Sequence, residues 1–208
     1  ILCEEFDYRT FRGRIVSIEL SNGVVGSPKV AIELPFHMSY PYLFEYEGEI
    51  YCVPETREAR EIALYRAEEF PYRWTKVSIL VNKFAGVDGT VFQYEGNLWL
   101  ASIYAGSSER EKLFLWYARD LLGPWKPHAC NPVKTDISSA RPAGTPFISN
   151  SCLYRPAQDC SKIYGGQVVL NRILTLTPTE FKEEKVAVVK PFPNGPYPDG
   201  LHTVSAVG

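Results

Sequence analysis

A ten-residue phrase that recurs along the chain constrains the fold more than any other feature. Tyr42-Leu-Phe-Glu-Tyr-Glu-Gly-Glu-Ile-Tyr51 returns as Thr90-Val-Phe-Gln-Tyr-Glu-Gly-Asn-Leu-Trp99, an offset of 90 − 42 = 48 residues. It returns again as Thr145-Pro-Phe-Ile-Ser-Asn-Ser-Cys-Leu-Tyr154, a further 145 − 90 = 55 residues on. Each copy reads as strand, tight turn, strand. After each hairpin comes an alternating or apolar run, Ile62–Ala67, Leu113–Ala118 or Val168–Ile173, which is the pattern of a third strand. A turn with a bulky aromatic follows (Phe70-Pro-Tyr-Arg-Trp74, Leu122-Gly-Pro-Trp125, Leu176-Thr-Pro-Thr-Glu-Phe181), and then a short apolar stretch such as Val77–Leu80 or Val186–Val189.

Four short antiparallel strands per unit of about 50 residues is the composition of a β-propeller blade. A β-sandwich, the main rival, leaves the repeated aromatic turn unexplained. Helix formers around Glu55–Glu69 and Glu109–Asp120 fall at the same place in the repeat, so both segments are read as strands and loops. The chain is then one all-β domain, 1–208, with full blades over 36–82, 83–135 and 136–192. A partial blade is expected over 1–35, where Arg14–Leu20 reads as its later part, and the start of a last one over 193–208. First and last blades are incomplete in this reading, which makes the propeller truncated and predicts self-association through open sheet edges.

Composition agrees with short strands and many turns: aromatics make up 13% of the 208 residues, alongside 16 Pro and 15 Gly. The 22 basic and 24 acidic residues nearly balance, so no global field exists to hold nucleic acid or an anionic membrane. No apolar run approaches the ~20 residues of a transmembrane helix, and Ile1-Leu2-Cys3-Glu4-Glu5 is not a secretion signal. A soluble chain follows, cytoplasmic by a slight preference, with the compartment left open. The five cysteines lack C-x-x-C spacing and are expected reduced, Cys152 and Cys160 being the one pair placed to close a disulfide. No metal site and no cofactor is expected, because neither a His/Asp/Glu ligand spacing nor a Gly-rich phosphate loop is present.

The repeat units carry specific phrases: His37-Met-Ser-Tyr-Pro41, Val53-Pro-Glu55, Phe70-Pro-Tyr-Arg-Trp74, Gly123-Pro-Trp125, Ala140-Arg-Pro-Ala-Gly144, Tyr154-Arg-Pro-Ala-Gln-Asp-Cys160, Tyr164-Gly165 and Gly200-Leu-His-Thr203. In this order they resemble the N-terminal propeller domain of the glucosamine inositolphosphorylceramide transferase family and its bacterial relatives. That domain is similar in turn to the arabinanase, levansucrase and invertase superfamily. The resemblance implies a five-bladed propeller, with acidic residues on the innermost strands around a funnel in the sugar-cleaving members. It also implies a strand ahead of Cys3–Asp7 carrying the hydrolases' base, and this chain starts after it.

Glycoside hydrolysis generally uses two carboxylates, one as acid and one as base or nucleophile. Aligned through the repeat, the blade-entry positions read Ser39-Tyr40-Pro41, Val87-Asp88-Gly89 and Pro142-Ala143-Gly144. Asp88 is the one carboxylate among them and the first catalytic candidate; its alternative is a turn-capping Asp before Gly89. Glu55 is the second, its alternative a solvated loop charge. The third blade brings Arg141, Arg155, Gln158 and Asp159 together in two Arg-Pro-Ala phrases. Such a set suits a saccharide, and it equally suits an internal ion pair, Arg155 with Asp159 or Arg141 with Asp88. His37 and His202 begin equivalent regions and face the expected funnel, with Tyr40 as a stacking partner, whereas His128 reads as a surface residue. Asp88, Arg141, Arg155, Gln158 and His202 are expected to converge on that funnel.

Three readings follow. The favoured one is a carbohydrate-active propeller that binds or processes a glycan within a larger glycosyltransferase-type protein, its partner a saccharide or glycoconjugate. The others are a glycoside hydrolase using Asp88 and Glu55, and a non-catalytic interaction propeller.

Overall fold

In a computed structural model, which describes residues 1–106 and 111–204, every regular element is a strand except one 3-10 turn at Arg57–Ala59. Glu109 and Arg110 of the Glu109–Asp120 stretch, and residues 205–208 of the expected last blade, lie outside the described residues. The chain divides into two compact units, Ile1–Gly89 and Thr90–Gly208.

The first unit opens with β1 (Leu2–Asp7) and β2 (Arg12–Ser17), a two-stranded ribbon of β3 (Leu20–Ser21) and β4 (Val24–Val25), and β5 (Lys29–Ile32). β1, β2 and β5 form a three-stranded antiparallel sheet in that order. A full meander follows: β6 (Ser39–Tyr46), β7 (Glu49–Glu55), β8 (Glu61–Glu69) and β9 (Arg73–Asn82), each paired with the next. Ile15, Ile32, Met38, Cys52, Ala63 and Tyr65 are the core of this unit, with Leu43 and Trp74 packed against them.

The unit boundary falls inside β10 (Gly86–Tyr94), which pairs with β11 (Asn97–Tyr104); β12 (Lys112–Ala118) comes next and pairs both with β13 (Lys126–Pro127) and with β14 (Lys134–Thr135). The last meander is β15 (Phe147–Ser149), β16 (Cys152–Asp159), β17 (Gln167–Leu176) and β18 (Phe181–Val189). Phe92, Trp99, Leu113, Leu115, Leu153, Ile173 and Leu176 bring the sheets of the second unit face to face in one core. Sheets that pack around a shared core within each unit, and successive antiparallel meanders along the chain, make this an all-β propeller fold.

The repeated phrase has a backbone cause. Its central pairs, Glu47-Gly48, Glu95-Gly96 and Asn150-Ser151, all hold positive φ (52° and 80°, 48° and 72°, 47° and 60°). Two left-handed residues in a two-residue loop make the type I′ turn whose twist matches the flanking strands. The aromatic turn has its own: the Trp74 indole donates to Pro71 O at 2.8 Å, and Trp125 to Leu121 O at 3.0 Å. In both copies the ring closes the loop that its own chain makes.

Two expected strands do not form among the described residues: none begins the last blade over 193–204, and one is missing from the third meander. Instead of an inner strand from residue 141, the third meander has a single bridge, Pro142 to Ala157, and a short β15. Pro142 and Pro146 remove the amides that a ladder needs, and Gly144 turns the chain at φ 115°. All five cysteines are free thiols, Cys152 and Cys160 included.

Candidate functional site

In the first unit the candidate residues sit where the sheet is distorted. β6 pairs Ser39 with Glu55 and resumes at Tyr42 with Val53, so Tyr40-Pro41 carries one extra residue, a β-bulge. Tyr40 takes φ 42° there and stacks on Tyr42 at 6.3 Å. Glu55, at the end of β7, is not a solvated loop charge: it is 6% exposed, with the Arg57 Nε 3.7 Å from its Oε1. Asp88 is 3% exposed and lies within β10 rather than in a turn, at φ 53°. The Asp-Gly pair therefore kinks a strand instead of closing a loop.

His37 is committed to the scaffold. Its Nδ1 accepts the Gly13 amide at 2.9 Å, so the neutral ring carries its proton on Nε2, 3.8 Å from Glu4 Oε1. Its own amide donates to Glu58 Oε1 at 3.2 Å, and Phe6 meets the ring edge-on. Burial and then the Arg57 guanidinium hold the imidazole below its ordinary pKa, with Glu58 opposing. Burial pushes the Glu4 carboxyl up. The packing here is tight enough that a Cβ on Gly13 would lie 2.4 Å from Met38 O.

In the second unit Arg155 is a correction to the sequence reading. It is 2% exposed and forks onto Glu183, Nε to Oε2 at 2.9 Å and Nη2 to Oε1 at 2.6 Å, while Nη1 donates to Ala140 O and Nη2 also to Ser139 O. Lys134 reaches the same carboxylate at 2.7 Å and adjoins Asp136. The guanidinium is used up on Glu183 of β18 and on the Ser139 and Ala140 carbonyls, and its ionic partner is not Asp159. Burial raises the Glu183 carboxyl, but Arg155 and Lys134 outweigh it and hold the group below the usual carboxylate range. Asp136 is held at about 2: burial opposes, and donors from Ser139 and Ser138 with the Lys134 charge prevail.

Asp159 accepts from the Ser161 amide at 3.0 Å and from Gln167 Nε2 at 2.8 Å, donors that overcome burial and lower its pKa. Gln158, fully buried, donates to Pro142 O at 3.0 Å. It ties β16 to the irregular inner segment. Arg141 and His202 do come together, through the Tyr164 ring. The Arg141 guanidinium lies 4.7 Å from the Tyr164 ring centroid, and His202 stacks on the same ring at 5.7 Å while its Nδ1 meets Thr203 Oγ1 at 3.0 Å. Tyr164 and His202 are solvent-exposed and Arg141 is buried, so this is a cation-aromatic cluster with an open side.

His128, read as surface, is 2% exposed. Its Nδ1 accepts the Cys130 amide at 3.0 Å, and its Nε2 finds no partner. Glu183 and Lys134 were missed as key residues; Glu183 sits in a run of charged residues, 182–185, that resembles a solvated face. Among the described residues no group of three or more His, Cys, Asp and Glu is placed to hold a metal ion.

With this geometry in view, comparison with known proteins is informative. Residues 10–193 match the family described as "Glucosamine inositolphosphorylceramide transferase 1, N-terminal". The rice (Oryza sativa subsp. japonica) protein named glucosamine inositolphosphorylceramide transferase 1 is 43% identical over 162 residues, covering 76% of this chain and 22% of its own length. The Arabidopsis thaliana protein of that name is 36% identical over the same share of the chain. The chain thus spans about a fifth of the length of the curated relatives it matches. Among solved structures, an exo-β-1,3-galactanase from Clostridium thermocellum superposes with a TM-score of 0.63 at 12% identity, over 90% of this chain and 47% of that one. A family 117 glycoside hydrolase from Zobellia galactanivorans gives 0.63 at 18%, over 86% and 56%. These likenesses show the fold, that of the five-bladed propellers.

Proposed function

The chain belongs to the family of glucosamine inositolphosphorylceramide transferase N-terminal domains, and from that premise we propose that it is a carbohydrate-handling propeller that binds a saccharide or glycoconjugate. In this reading the whole protein is a glycosyltransferase-type enzyme, and the propeller holds or orients the glycan on which it acts.

One observation carries the proposal: two carboxylates, Glu55 and Asp88, are nearly excluded from water in the first unit, one paired across from the bulge at Tyr40 and the other on a left-handed kink. Left-handed backbone inside a strand, as at Tyr40 and Asp88, is strained, and such strain concentrates where a chain presents groups to a ligand. Carboxylates that accept from sugar hydroxyls, with Tyr40 to stack on a ring, fit a saccharide. In the second unit Arg141 and His202 supply donors around Tyr164, and Gln158 and Asp159 act from behind as positioning residues. Arg155 has no part in it.

Binding to an immobilised glycan array tests the reading. Wild-type chain is expected to retain a defined subset of glycans, and Asp88→Asn to reduce that signal about tenfold, the loss of one charge-assisted hydrogen bond, with its unfolding midpoint close to wild type. A folded wild-type chain that retains no glycan overturns it. The same pair of buried carboxylates also favours a second reading, glycoside hydrolysis with Glu55 and Asp88 as acid and base. Turnover of chromogenic glycosides that Asp88→Asn and Glu55→Gln each abolish would establish it.

A further inference from the structure

A groove of about 330 Å³ lies in the second unit, at the turn between β12 and β13, walled by Tyr117, Pro124 and Pro178 and edged by Asn97, Arg119, Asp120 and Lys126. Strand register explains why these side chains meet. Trp99 pairs with Tyr117, and Tyr117 with Lys126, so the three stand side by side on one face of the sheet. The pairing of Leu98 with Ala118 continues to Asn97 opposite Arg119 on that same face. The Tyr117 ring leans on Trp99 at 5.7 Å and is fixed from behind. Pro124 and the closed Trp125 turn hold the far wall, since the Trp125 indole is tied to Leu121 O.

The polar edge of the groove is unspent. Arg119 uses one nitrogen, Nη1, on Gly96 O at 2.9 Å, and Asp120 uses one oxygen on the Leu122 amide at 2.8 Å. The remaining guanidinium donors, the second Asp120 oxygen, the Asn97 amide, the Tyr117 hydroxyl and the Lys126 ammonium bond to no other described residue. Arg119 and Lys126 line the groove together with Asp120, and among the described residues neither forms an ion pair with it. Elsewhere in this unit charges do pair, as at Arg172 with Glu184 and Lys134 with Glu183.

We propose that this groove is a second saccharide-binding site, separate from the blade-entry residues. A sugar ring has an apolar C–H face, which the fixed Tyr117 ring and the two prolines match, and a rim of hydroxyls, each both donor and acceptor. Asn97 supplies both functions, Asp120 accepts, and Lys126 and Arg119 donate. A protein or peptide partner would need a wider apolar surface than this short wall. A bare anion would be opposed by Asp120.

Isothermal titration of the whole chain with galactotetraose and with tetragalacturonate tests the site, alongside Asn97→Ala, Lys126→Ala and Tyr117→Phe. At least one of the two sugars is expected to bind, and Asn97→Ala and Lys126→Ala each to weaken it about tenfold. Tyr117→Phe, which keeps the ring, is expected to weaken it less. A stronger response to tetragalacturonate that Lys126→Ala removes supports an acidic sugar in the groove; equal responses support a neutral one. Binding of neither sugar overturns the proposal. So does binding that Asn97→Ala and Lys126→Ala leave unchanged while Asp88→Asn abolishes it, which would count for the blade-entry site instead.

Discussion

Tyr40 and Asp88 hold the same left-handed backbone, φ 42° and 53°, at corresponding points of consecutive meanders, 88 − 40 = 48 residues apart. The offset equals that of the hairpin repeat, so the kink belongs to the blade pattern and not to either residue alone. An L-residue in this region costs about 1–2 kcal/mol, least for Asp and Asn, whose short side chains bond locally. Asp88→Asn should therefore keep the fold, whereas Asp88→Val, which puts a β-branched residue at positive φ, should be about 2 kcal/mol less stable than Asp88→Asn. Urea denaturation of the two variants checks this. Equal midpoints would mean that the kink relaxes at no cost.

The third hairpin departs from the other two copies in its turn. Where the others place Gly48 and Gly96 in the second turn position, it has Ser151 at φ 60°. Ser151→Gly should stabilise the chain by about 0.5–1 kcal/mol, the relief of a left-handed L-residue reduced by the entropy of an added glycine. The thermal unfolding midpoint reads it, and Gly48→Ser should shift that midpoint the other way.

The Arg155–Glu183 pair should dominate the acid response of the second unit. Glu183→Gln leaves a buried guanidinium half-partnered and should cost about 3–5 kcal/mol. Glu183 and Asp136 both titrate below their ordinary values in the folded chain. A group whose folded pKa is depressed contributes stability that is present above its unfolded value and lost as pH falls through the folded one. Stability owed to these groups should thus hold from neutrality down to the usual carboxylate range and decline below it, toward the value of about 2 held by Asp136. Chemical denaturation across that range should show a shallower fall for Glu183→Gln than for wild type. An unchanged slope would remove the assignment.

The blades were legible because their signals are local. Glu47-Gly48 and Glu95-Gly96 set two-residue turns by backbone preference alone, and Trp74 and Trp125 bond to carbonyls three and four residues before them. Glu183 was not legible. Its partner lies 28 residues away, and Lys182-Glu183-Glu184-Lys185 reads as a solvated run when only one of its four members turns inward. Asn131, whose side chain caps Leu115 from 16 residues off, went unnoticed, and His128, drawn inside by that loop, reads as surface, for the same reason. Asp88 was found through the repeat, yet its place inside a strand depends on ladder bonds that an Asp-Gly pair does not reveal. The inner segment of the third meander followed the repeat in the hairpin and departed from it at Pro142 and Pro146, where missing amides outweigh the pattern.

The segment 201–204 is held by two backbone bonds, Leu201 N to Gly165 O at 2.8 Å and Val204 N to Ala143 O at 2.9 Å, and each passes beside a glycine. Gly144, at φ 115°, has no room for a side chain: a Cβ there would lie 2.0 Å from Val204 O. At Gly165 it would lie 2.7 Å from the His202 Cβ. These contacts place His202 on the Tyr164 ring beside Arg141, so the open cluster depends on two absent methyl groups. Gly144→Ala must both strain a positive φ and push Val204 away, because the atom it meets is backbone and cannot rotate aside. Hydrogen exchange of the Val204 and Leu201 amides should accelerate markedly in Gly144→Ala, while the amides of β16 and β17 keep their protection. Val204 exchanging at the wild-type rate in Gly144→Ala would show that the segment accommodates the added methyl, and that His202 keeps its place without this close approach.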